Sequence, residues 1–185
     1  MAKYIDQDKV AELVAVKNQI FAARNKAFID HGIDILSNDI MSNLCIYEIV
    51  SKYDPYIQVN FARNGEDAVS GQVQCEFKTS RVNRADKPAA FMFHAMGDLA
   101  HERYIFAVRH RDDLELIRLY DISDPDHVAY IFLELWVLRD EWLSRGQMDA
   151  AKMKRDVIQI TEDLITKQFT TLKKQVILGC EVFRD

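Results

Sequence analysis

Apolar Val10, Leu13, Val14, Ile20, Phe21 and Phe28 recur near helical spacing among Lys, Glu, Arg and Gln, with no Pro or Gly between residues 6 and 30. The pattern predicts a long amphipathic helix ended by Gly32. A second helix is predicted over about 36–53, with Ile40, Leu44, Ile46, Val50 and Tyr53 on its buried side and Pro55 closing it. The period then changes to two. Residues 56–61 alternate, Arg63-Asn64-Gly65-Glu66-Asp67 is turn chemistry, Ser70-Gly71 is more of it, and residues 72–78 alternate again. Two strands joined by a bend are therefore predicted within 56–79, followed by a basic, polar loop over 78–88. Residues 89–94 fit either a strand or a helix. Residues 104–109 and 114–120 flank His110-Arg111-Asp112-Asp113 and read as a hairpin. Ser123 or Asp124, with Pro125 just inside, starts a predicted helix that carries Val128, Ile131, Phe132, Leu135, Trp136, Leu138 and Trp142 to Gly146. A short strand at 157–160 and a helix over 162–176 capped by Thr161 complete the pattern. No repeat, linker or compositional break divides the chain, so a single domain spanning 1–185 is expected. The order of elements implies an α/β or α+β layered domain.

At 185 residues and 49% hydrophobic composition, the chain is long enough to bury a core without disulfide or metal staples. No apolar run reaches the ~20 residues that span a bilayer, and the first residues lack a signal-peptide layout, so a soluble, cytoplasmic protein with no membrane partner is expected. Cys45, Cys75 and Cys180 form an odd set without a CxxC pair, which fits reduced core thiols. Twenty-four basic against 29 acidic side chains leave a net charge of −5. That balance argues against autonomous, tight, sequence-independent DNA binding, whose affinity comes from Lys and Arg on phosphates. A local basic patch is still allowed.

One constellation carries chemistry. Glu76 and Lys78 are two apart on a strand, so they leave one face while Phe77 points the other way into the core. Asp67 sits in the turn after the preceding strand. Two carboxylates and an ammonium would then converge at the mouth of a bent sheet, where Asp67, Glu76 and the backbone carbonyl of Phe77 suit Mg2+, a hard cation that takes oxygen ligands and keeps several waters. Lys78 beside such a site can orient or help deprotonate a water, and the ion stabilises charge developing on a phosphate. The chemistry suggested is phosphodiester hydrolysis. The same residues also describe a solvated Glu–Lys pair on an exposed strand, since a chain this charged supplies acid-x-Lys spacings by chance. Glu48 lies in an otherwise apolar helical turn, Tyr47-Glu48-Ile49-Val50, where a buried carboxylate needs compensation, although a helix-surface position also fits. His94 ends an aromatic run and can orient a phosphate or a water, or be structural. Asp98 and His101 are one helical step apart but lack a third metal partner.

These residues resemble the PD-(D/E)xK nuclease superfamily, with Gly65-Glu66-Asp67-Ala68 as its acidic turn and Glu76-Phe77-Lys78 as its E-x-K. Glu66 stands where the signature has Pro. Together with Glu48 on a preceding helix and Phe91-Met92-Phe93-His94 after the motif, the chain looks like the catalytic chains of restriction endonucleases. In length and order it is most similar to the small subunits of heterodimeric type IIS enzymes. The resemblance has motif content over residues 36–121. It implies an α/β, restriction-endonuclease-like fold with a mixed central sheet flanked by helices, Mg2+, duplex DNA as substrate, and a larger nicking subunit that recognises the site. It also implies a helix glutamate, Glu48, facing the metal site to hold a metal-bound water or a second ion. Delegated recognition would account for the acidic balance, with Arg63, Lys78, Arg81, Arg84 and Lys87 seating the backbone locally. A standalone repair or recombination nuclease and a non-catalytic interaction subunit are the competing expectations.

Overall fold

The computed structural model describes residues 7–31, 38–60, 66–93, 101–111, 115–123 and 158–185. The chain forms two compact units, Met1–Met41 and Ser42–Asp185. The first contains helix α1 (Gln7–His31), as the 3.6-residue spacing predicts. Val14, Val16, Ile20 and Phe21 are exposed along it. Local pairs support it: Lys26 bonds Asp30 at 2.5 Å, and the Arg24 guanidinium lies 6.0 Å from the Phe21 ring centre. Helix α2 (Asn38–Val50) follows.

The second unit is built on a seven-stranded mixed sheet, ordered β1 (Ile57–Val59), β2 (Ala68–Ser70), β3 (Val73–Val82), β5 (Arg103–His110), β6 (Leu116–Ile122), β9 (Cys180–Arg184) and β8 (Lys173–Ile177). Pairs β3–β5 and β6–β9 are parallel and the others antiparallel. A separate antiparallel ribbon joins β4 (Ala90–Phe93) to β7 (Ile158–Thr161). Helix α3 (Glu162–Gln168) continues from it, its first turn capped by the Thr161 hydroxyl, which accepts from Leu164 N at 3.3 Å. The expected α/β class, mixed sheet, 104–120 hairpin, short strand near 160 and Thr161 cap are all present.

The central strand β5 is buried on both faces and so reads as a continuous apolar run. Ile105 and Ala107 join Cys75, Phe77 and Leu119 under Ile46, Ile49 and Val50 of α2. Tyr104, Phe106 and Val108 face the other way, against Phe91 and Phe93 of β4, Ile160 of β7 and Ile165 of α3. Burial pushes the thiols of Cys75 to about 11 and Cys180 to about 12, so these free cysteines are neutral core groups.

Three expectations change. The 56–79 region holds three strands, because Ala68–Ser70 forms β2 and turns into β3 through Gly71-Gln72, with Gly71 at φ 64°. Strand β3 runs on to Val82, through residues expected to be loop, because β5 pairs with it as far as His110. The last predicted helix stops at Gln168, and residues 173–184 form a hairpin instead. Its two-residue turn, Leu178-Gly179, has φ of 48° and 85°, the double left-handed geometry of a type I′ turn. A leucine is strained there by about 1 kcal/mol. Because Leu178 is 63% exposed, Leu178→Asn is expected to raise unfolding stability by about 0.5–1 kcal/mol in urea titration. A loss of stability would show that Leu178's contacts outweigh its strain. The helix predicted over 123–146, with Trp136 and Trp142, lies outside the described residues.

A buried carboxylate ties the ribbon to the sheet. Glu162 accepts from Arg118 Nε at 2.6 Å, Arg118 Nη2 at 2.9 Å, Tyr120 OH at 2.8 Å and Ala89 N at 2.6 Å. Burial alone raises the pKa of this carboxyl, but the bonds from Arg118, Ala89 and Tyr120 override it and leave it lowered. A lowered folded-state value gives stability that is complete above the ordinary carboxylate range and lost as pH falls through that value. The urea midpoints of wild type and Glu162→Gln should therefore be far apart at neutral pH and converge as the pH falls through and below the ordinary carboxylate range. A gap that stays constant with pH would contradict this role.

Candidate active site

Alternation along β3 sends Cys75 and Phe77 into the α2-side core and Glu76 and Lys78 to the ribbon side. There the ammonium of Lys78 meets Glu76 Oε1 at 2.5 Å, with side chains only 14% and 10% exposed. This is a sequestered pair, unlike the solvated one that the spacing alone also allows. The Phe93 ring of β4 lies 5.2 Å from the Lys78 nitrogen. His101, just before β5, has Nε2 3.6 Å from Glu76 Oε2, too long for a hydrogen bond, and its ring meets Tyr104 edge-on. Burial raises the Glu76 pKa, Lys78 opposes that shift, Asp67 adds to it and His101 opposes it, and the net direction is upward.

Asp67 comes to this pair through the β2–β3 register. The β2–β3 pairing ends at Ala68 and Cys75, and Asp67, just before β2, donates its N–H to the Cys75 carbonyl at 3.1 Å. From there its side chain reaches along β3. Its Oδ2 accepts from Phe77 N at 2.8 Å, and its Oδ1 accepts from Asn43 Nδ2 at 3.2 Å. Each oxygen retains a lone pair for another partner. The N–H and C=O of one strand residue leave by the same edge, so the Phe77 carbonyl also faces the Asp67 edge and not β5. The carboxylates of Asp67 and Glu76 and this carbonyl are oxygen donors of the kind that a hard cation takes. Among the described residues, no three His, Cys, Asp or Glu side chains gather as a metal cage.

Other expected participants lie elsewhere. Glu48 is exposed on α2 and lines a recess of about 350 Å³ with Cys45, Ile49, Glu115 and Leu178. The sheet register puts that recess level with Arg81 and Arg109, five residues along β3 from Glu76 and on the opposite face. Helix α2 does reach Asp67, but with Asn43. His94 and Asp98 lie outside the described residues, as does Arg63. The expected basic cluster is dispersed: Lys78 is engaged by Glu76, Arg81 lies on the α2 face, and Arg84 pairs with Asp86 at 2.8 Å. Asn43 and His101 were not legible as partners of Asp67 and Glu76, since neither spacing nor alternation connects them. The only signal was a polar Asn among Ile40, Met41, Leu44 and Ile46 of the predicted helix. No model of a known protein family matches this chain, and a comparison with curated proteins also returns no match.

Proposed function

We propose that this chain is a Mg2+-dependent, cytoplasmic DNA endonuclease subunit of the PD-(D/E)xK type, hydrolysing phosphodiester bonds in one strand of duplex DNA while a larger subunit recognises the site. The observation that carries the reading is the sequestered Glu76–Lys78 pair, with the Asp67 carboxylate bonded to the amide of the intervening Phe77. Buried charge of this kind is costly for a fold and is retained at sites that use it. Asp67, Glu76 and the Phe77 carbonyl would hold Mg2+, which when bound supplies Lewis-acid stabilisation of a phosphate and a more acidic water. The chain's own groups do the rest. Asn43 and the Phe77 amide fix the Asp67 carboxylate. Lys78 carries a proton that it can donate to a phosphate oxygen, and Glu76 sets its position. The Phe93 ring shields the ammonium from bulk water. A net charge of −5 fits recognition delegated to a partner, and no described helix is long and apolar enough to cross a membrane.

Nicking of supercoiled plasmid tests this, using the purified chain alone and with its DNA-reading partner, in Mg2+ and in EDTA. Mg2+-dependent nicking that requires the partner is the expected result. Efficient cutting by the chain alone would identify a standalone nuclease. No scission under any condition, together with no binding of Mg2+ or Mn2+, would identify a non-catalytic subunit.

A further inference from the structure

Helix α1 is 25 residues long, or about 37 Å, and none of its described side chains is buried. A helix in water draws most of its stability from packing an apolar face, and an isolated one is marginal. Such a face is present. Val14 and Phe21 lie one heptad apart, as do Lys17 and Arg24, and Val16 and Ile20 complete the same half of the circumference. Glu12, Asn18, Gln19, Asn25 and Lys26 occupy the other half. The four apolar members of the first half are each 45–50% exposed. A seven-residue recurrence of apolar positions along one side of a helix is the pattern of a two-helix seam.

We propose that this half of α1 docks a second copy of the chain through its own α1, antiparallel, about a two-fold axis between Asn18 and Gln19. The proposal stands independently of the nuclease reading. Charges within the face decide the orientation. A parallel, in-register pair would set Lys17 against the partner's Lys17 and Arg24 against the partner's Arg24, like charge on like. In the antiparallel pair, Arg24 is level with residue 13 of the partner, eleven residues or about 16 Å along the axis from the partner's Arg24. Lys17 falls level with the partner's Ile20, which its methylene stem covers. Each lysine leans toward its own N-terminus, so the two ammonium groups diverge from the two-fold axis. The same axis sets Val14 beside the partner's Phe21 and overlaps residues 7–30 of both copies, nearly the whole helix. The register that satisfies the seam is therefore also the one that uses the full length, which makes the face self-complementary, as a two-fold interface requires.

Sedimentation equilibrium of the full chain tests this. A reversible monomer–dimer equilibrium is expected, with Ile20→Asp weakening the dimer about tenfold or more. Lys17→Leu should tighten it, because the seam then carries one charge fewer per copy. The sheet unit of Ile20→Asp should unfold in urea at the wild-type midpoint, which separates lost docking from lost structure. Orientation is read by cross-linking on a Cys45→Ser background. Chains with Val14→Cys mixed with chains with Phe21→Cys should be joined by a short thiol cross-linker. Val14→Cys chains alone should not, because the two introduced thiols then sit about 13 Å apart along the axis. A chain that stays monomeric up to its solubility limit overturns the proposal. So does a dimer that Ile20→Asp leaves intact or that Lys17→Leu weakens, or one in which Val14→Cys chains alone cross-link as readily as the mixture.

Discussion

Replacing Glu76 by Gln is expected to lower Mg2+-dependent strand scission about a hundredfold or more while leaving the fold in place. The amide keeps the shape of the side chain and a carbonyl acceptor for Lys78, but it removes the charge that would hold the cation and balance the ammonium. Glu76→Ala would be a poorer test. The pair meets at 2.5 Å with Lys78 only 14% exposed, so truncation strands a buried ammonium at a cost of about 3–5 kcal/mol. Loss of activity would then be confused with loss of structure. From alternation alone, Glu76 reads as an exposed strand-face carboxylate whose removal the fold would not notice, and its burial corrects that. The measurement pairs nicking rates with the urea midpoint of the same preparation. Unchanged scission by a folded Glu76→Gln would reject a catalytic role for this residue.

Arg103→Met should be the most destabilising of the ion-pair substitutions, by about 3–5 kcal/mol. The guanidinium bonds Asp121 through Nε at 2.7 Å and Nη2 at 2.6 Å, and Asp54 through Nη1 at 2.5 Å. The Tyr53 hydroxyl donates to Asp121 Oδ2 at 2.7 Å. One side chain thus links β5, β6 and the turn that leaves α2. Asp121 is almost wholly buried, and methionine would leave its carboxylate with the tyrosine hydroxyl as its remaining side-chain partner. Burial raises the Tyr53 pKa and the adjacent Asp121 charge raises it further, so the phenol remains a donor. Restoring neutrality with Arg103→Met/Asp121→Asn should recover part of the loss, which a double-mutant cycle in urea would measure. A loss below about 1 kcal/mol for the single variant would show the network to be solvent-relaxed.

Helices α1 and α2, the β5–β6 hairpin and the Thr161 cap were legible because each is specified by neighbours in the chain: a 3.6-residue spacing, a turn between two apolar runs, a hydroxyl three residues before an amide. What the sequence hid is specified by distant partners. Ser80 and Arg81 are weak strand residues on their own, and they are extended because β5 lies alongside. Lys173, Lys174 and Gln175 favour helix locally, but pairing with β9, itself held parallel to β6, overrides that preference. Strand β2 is three residues long and surrounded by turn residues, so its length defeats a pattern of period two. At the candidate site, alternation revealed that Glu76 and Lys78 share a face and that Phe77 does not. Their burial depends on Phe93 and His101, which no spacing links to them. The bond from the Phe77 amide to Asp67 required a strand pairing that spacing alone does not define.

The hold that Arg118 exerts on residues 83–89 bears on entropy as well as on structure. By bonding the carbonyls of Ala85 and Lys87, it turns the backbone of this segment inward, while Arg84 and Lys87 stay exposed. The segment's freedom is therefore surrendered when the sheet forms, not when a ligand arrives. A polyanion meeting Lys87 would find it on a backbone already ordered, so less of the binding energy is lost to immobilising the loop. Loosening Arg118 would make the same contacts weaker without removing any of them.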